Sequence, residues 1–165
     1  MYQVLVFVYE NYWGGDDCPD REQLGRRLSL AGFERQEIMQ ALAWLDDLHS
    51  AAQGLHPPPA APVSAPAPAH HEPLLAQGMR VYSPLEMDHL GAEGIGCIRF
   101  LETAGALPQH MRELVIDRAM AVPDTPLALH DLKVIVMMVY WRLGATPDAL
   151  VLDELCDDPQ GRVAH

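Results

Sequence analysis

Histidines, cysteines, a single lysine and paired acids are the residues of this 165-residue chain that could do chemistry. The eight histidines are His49, His56, His70, His71, His89, His110, His130 and His165. Zinc hydrolysis needs two histidines four apart on one helix face with a glutamate between them, and no pair has that spacing. His56, His70 and His71 fall in a proline-rich stretch, where a metal site lacks the supporting hydrogen bonds that hold ligands in place. Asp16-Asp17, Asp46-Asp47, Asp153-Glu154 and Asp157-Asp158 are adjacent carboxylates. Paired catalysis needs a cleft that drives two pKa values apart; neighbours on a helix diverge and form a wet face. Ser29, Ser50, Ser64 and Ser83 lack the Gly-x-Ser-x-Gly frame of a nucleophile elbow. Lys133, between Leu132 and Val134, has the setting of a Schiff-base lysine, but nothing else converges on it; reaching water or pairing with Asp131 is the ordinary reading. Gly91, Gly94 and Gly96 form a glycine string with no Lys-Ser/Thr after it, so it is not a phosphate loop. These residues predict no catalytic, cofactor-binding or metal-binding site, and a chain that is not an enzyme.

Cys18, Cys97 and Cys156 are odd in number, far apart and without a Cys-x-x-Cys. That pattern suits reduced thiols in the cytoplasm, with Cys97 packed among apolar residues. Trp13, Trp44 and Trp141 sit in helical patterns and read as core. No basic region precedes Val4–Val8 and no cleavage site follows, so no secretory signal is expected. Val134–Trp141 is too short to span a bilayer, which takes about 20 residues.

The elements that must position these groups fall into two sets. Gly54–Gly78 holds seven of the fourteen prolines and one charged residue, Glu72. Such a segment cannot bury enough apolar surface to fold and reads as a disordered, semi-rigid linker. It divides residues 1–53 from 79–158, with 159–165 a flexible tail. The predicted fold is all-α: about three helices, the linker, then four to five helices. Residues 2–13 fit a strand by their valines and a helix by the stripe Tyr2, Leu5, Val6, Tyr9 and Trp13. Asp20 can cap a helix over 21–31, with Gly32 and Phe33 as its left-handed stop. A second runs over about 35–50. Residues 79–82 suit a short strand or an extended lead-in. Ser83-Pro84-Leu85-Glu86 is a capping box opening a short helix. Further helices are expected over 94–104, 108–122, 129–143 and 147–157. The 129–143 helix is apolar on nearly all sides and should be central.

The net charge is −12, shared as −5, −1 and −6 among residues 1–53, 54–78 and 79–165. Arg26-Arg27 is the one adjacent basic pair. Phosphate binding normally needs clustered cations, so broad binding to nucleic acid or anionic membrane is disfavoured by repulsion. The balance suits a soluble protein, or one with a basic protein partner.

Three segments together resemble the Smg family of small bacterial proteins. They are Met1–Tyr12; Leu30-Ala31-Gly32-Phe33 with Glu37-Ile38 and Ala41–Leu45; and Met79–Ser83 through Arg112–Arg118 to Leu132–Val139. The resemblance spans nearly the whole chain outside the linker. It implies a mainly helical fold, favours helix over 2–13, and implies no cofactor and no catalytic residues. It also implies a link to DNA processing through neighbouring genes. Two departures stand out. Glu34 sits where an aspartate usually follows the Gly-Phe corner, and glutamate is the poorer cap. The Pro/Ala linker is longer than the family's.

The resulting expectation is a non-enzymatic protein-interaction or adaptor module. Its candidate surface is Arg112, Glu113, Asp117 and Arg118, with intrahelical pairing as the plain alternative. The second reading is nucleic-acid association through Arg21, Arg26, Arg27 and Arg35. A small enzyme of unknown class comes third.

Overall fold

Local capping chemistry fixes where the helices start and stop. The structure, a computed structural model, describes residues 1–12, 20–54, 80–123, 125–148, 151 and 155. Asp20 accepts hydrogen bonds from the backbone N–H groups of Glu22 and Gln23, both at 2.9 Å, and opens the helix Arg21–Leu30. That helix closes as the sequence requires. Gly32 takes φ +93°, its N–H reaches the Ser29 carbonyl, and the Phe33 N–H reaches that of Leu28. This is the double bond of a left-handed helix stop. Phe33 then packs edge-on against Phe7, with ring centroids 5.5 Å apart.

In chain order the helices are α1 Tyr2–Tyr12, α2 Arg21–Leu30, α3 Arg35–Gln53, α4 Pro84–Thr103, α5 Gln109–Met120 and α6 Leu129–Arg142. The fold is all-α, with no strand among the described residues. Residues 2–12 are helical, which decides the open strand-or-helix question. Residues 80–83 carry no regular structure and serve as an extended lead-in. Ser83 and Glu86 form the capping box in full. The expected short helix and its successor both lie within Pro84–Thr103 and meet at a kink at Gly91, whose φ of +66° and ψ of 173° are not helical and only glycine adopts without strain.

The core is shared by both sequence halves. The apolar α6 touches α1, α3, α4 and α5, and Ile135, Val136, Met138 and Val139 have no exposed surface. Val4, Leu5 and Val8 of α1 are equally buried and lie in the same cluster. Each such side chain stabilises the fold by about 1.5–3 kcal/mol. Two tryptophans tie the halves by directed bonds. The Trp44 indole N–H donates to the Arg118 carbonyl at 3.2 Å, and that of Trp141 to the Tyr12 carbonyl at 3.3 Å. Of the two roles expected for Lys133, reaching water is not the one adopted, since the residue is buried at 4% exposure. The expected linker over 55–78 and the tail over 159–165 lie outside the described residues. So does most of the 147–157 helix, of which Val151 and Leu155 are helical and buried.

Candidate interaction surface

α5 presents a repeating pattern. Met111, Leu114, Val115, Ile116 and Ala119 are buried, while Gln109, Glu113 and Asp117 are exposed. Spacing of four places these three polar residues along one side of the helix. Together with Ala51 of α3, His110 and Leu114, they line an open groove of about 560 Å³ with largely apolar walls. The Glu113 and Asp117 side chains keep 45% and 60% of their exposure.

The two arginines of the expected surface sit differently from the two acids. Arg112 is 5% exposed. It pairs with Glu102 and, at 2.7 Å, with Glu113. Arg118 is 13% exposed at its side chain and pairs with Asp117 at 2.6 Å; Asp47 lies 3.9 Å away. All four charges are thus paired within the chain, and the carboxylate side of each pair is the exposed one.

Sequence reasoning missed the larger network to which Arg112 belongs. Arg80 grips the Glu86 carboxylate with two N–H donors, at 3.1 and 2.8 Å, and its Nε donates to Glu113 at 2.9 Å. The Arg80 guanidinium also lies 4.8 Å from the Tyr82 ring centroid, with that of Arg99 at 5.7 Å. The signal was present in the alternation of an extended segment. Arg80 and Tyr82 turn inward, Tyr82 being 6% exposed, while Val81 between them is 89% exposed. The Arg80 hydrogen bond, helped by the Ser83 N–H, holds the Glu86 carboxyl down at about 2. At Glu113 burial pushes upward, but hydrogen bonds from Arg80 and Arg112 outweigh it, and its net displacement is downward. Burial pushes the Tyr82 hydroxyl up, against the pull of Arg80. Both carboxylates are therefore kept ionised, which suits holding cations and does not suit proton transfer near neutrality.

The N-terminal arginines are mostly engaged too. Arg21 pairs with Asp46 and Arg26 with Glu22. Arg27 donates to the Tyr12 hydroxyl at 3.1 Å. Arg35 is exposed and has no ion pair among the described residues. His89 is buried between the Thr125 hydroxyl at 3.0 Å and the Ala119 carbonyl at 2.9 Å, so both ring nitrogens bridge α4 to its neighbours. Among the described residues no three His, Cys, Asp or Glu side chains are grouped to hold a metal ion, and no helix is long and apolar enough to cross a membrane.

The comparisons agree over the full length. A family described as "Protein of unknown function (DUF494)" matches residues 1–165. The chain is 52% identical to a "Protein Smg homolog" of Methylibium petroleiphilum, with all of both chains covered. It is 50% identical to that of Leptothrix cholodnii and 42% to that of Bordetella pertussis, again end to end. No solved structure matches it. A family match and identity at this level over the full length make this protein a member of the Smg family.

Proposed function

We propose that the chain is a non-enzymatic binding module of the bacterial cytoplasm, an adaptor whose α3–α5 groove receives a basic segment of a protein partner. One observation carries this reading. The pairs Arg112–Glu113 and Arg118–Asp117 each bury their arginine and leave their carboxylate partly exposed, on the rim of a groove walled by Ala51 and Leu114. Apolar walls give contact area, and exposed carboxylates steer a cationic partner and fix its register. The odd, scattered cysteines support the compartment, and the link to DNA processing rests on the family's gene neighbourhood alone. Nucleic acid fits this face poorly, since phosphates would meet two carboxylates.

Site-specific photo-crosslinking tests the reading. A photoreactive side chain at Gln109, which is exposed and lines the groove, is expected to trap one protein through a segment rich in Lys and Arg. The same probe at Phe100, which is exposed on α4, is the control. Equal trapping at both positions, or a segment at 109 with no net positive charge, contradicts the proposal.

A further inference from the structure

We propose that the corner between α2 and α3 is a second docking surface, fitted to an acidic amphipathic helix of a protein partner. The inference stands apart from the α5 groove and would survive its failure. Leu30 and Met39 are 88% and 59% exposed, and both line one open groove. Single exposed apolar residues are ordinary on a protein surface; two large ones framing the same depression make an anchor site.

Charge points the same way. On a chain of net charge −12, this groove carries Arg26, which is paired with Glu22, and Arg35, which has no ion pair among the described residues. The α5 groove carries Glu113 and Asp117. The groove beside the N-terminus carries Glu10, Glu37 and Asp131 together with the Met1 ammonium, which pairs with Glu37. The α2–α3 corner is thus the cationic one of the three.

Gly25 adds an independent observation. It lies inside α2 and lines the groove. Glycine there weakens the helix by about 1 kcal/mol against alanine. The fold does not require it: a Cβ at residue 25 would stand 3.6 Å from Leu42 Cδ1, an ordinary contact. What the missing side chain provides is space in the groove.

Apolar anchors between guanidinium groups are the complement of a helix with an apolar stripe flanked by carboxylates. A phosphate backbone has no use for Leu30 and Met39, which a helix with an apolar stripe would cover.

Fluorescence anisotropy on the full chain tests the proposal. The probes are a labelled peptide with Leu at helical i, i+3, i+4 and i+7 spacing and Glu elsewhere, a scramble of identical composition, a Lys version and a short DNA duplex. The acidic amphipathic peptide is expected to bind about tenfold or more tighter than its scramble. Arg35→Glu is expected to weaken it about tenfold, with Leu30→Ser also weakening it. Gly25→Leu, which fills the groove, should weaken it too, while the α5 substitution Gln109→Lys leaves it unchanged. If Gly25→Leu does not fold, the two exposed positions decide. Equal binding of the scramble, preference for the Lys peptide or the duplex, or indifference to both Arg35→Glu and Leu30→Ser overturns the proposal. So does self-association of the protein that these two substitutions abolish, because the occupant is then a second copy.

Discussion

At the scale of single residues, the Arg80–Glu86 pair does more for the C-terminal half than its position ahead of a helix suggests. Both side chains are largely withdrawn from water, at 17% and 18% exposure, so the pair is worth more than a surface bridge. Glu86→Gln keeps the capping box, since glutamine serves at that position, but removes the charge that holds Arg80. The expected loss is about 1–2 kcal/mol, read by chemical denaturation at pH 7. The pH dependence has a fixed sign. A carboxyl lowered from 4.5 to about 2 on folding stabilises the native state above its unfolded value. That contribution disappears as pH falls through the interval between the two. Glu113, also displaced downward, adds to it. Wild type should lose stability steeply across that interval, and Glu86→Gln should lose less. A second residue-scale prediction concerns Glu34, which precedes α3 in extended conformation and makes no capping hydrogen bond. Glu34→Asp should raise stability by about 0.5–1 kcal/mol, seen as a higher denaturation midpoint with unchanged slope.

At the scale of elements, most of the fold could be read from residue patterns. Helix starts at Asp20 and Ser83 and the stop at Gly32 rest on short-range geometry that a sequence records directly. Residues 2–12 could not be decided from pattern, because five consecutive apolar residues satisfy both periods. Their burial against α6 is a long-range fact. The candidate site was half legible for the same reason. The outward spacing of Gln109, Glu113 and Asp117 is local, and so is the Arg118–Asp117 pair, but the withdrawal of Arg112 involves Glu102 from α4. Gly91 offers the element-scale test. Any side chain there must adopt φ +66° and ψ 173°, although open space surrounds the position. Gly91→Ala should cost about 1–3 kcal/mol from backbone strain alone. Full stability in the variant would mean that the kink is not built as described.

At the scale of the whole molecule, the residues flanking the Pro/Ala-rich segment do not form separate cores. α1 and α3 pack directly on α6, and Trp44 and Trp141 bond across from one half to the other. Unfolding is therefore expected to be one cooperative transition, with tryptophan fluorescence and far-ultraviolet circular dichroism coinciding. Two separated transitions would show that the halves fold independently. The shared core also fixes the α3–α5 groove, since its two walls come from opposite sides of that segment. Because this groove keeps its carboxylates exposed while the neighbouring arginines are engaged internally, binding there should be electrostatic, selective for cations and sensitive to salt. The most direct measurement is the affinity of the wild-type chain and of Gln109→Lys/Asp117→Asn for Lys/Arg-rich peptides carrying one apolar residue, at low and moderate salt. The account predicts binding to the wild type that weakens with salt, and a loss of about tenfold or more in the double variant with folding intact. Identical affinities for the two proteins, or a wild type that binds acidic and basic peptides alike at this groove, would contradict it.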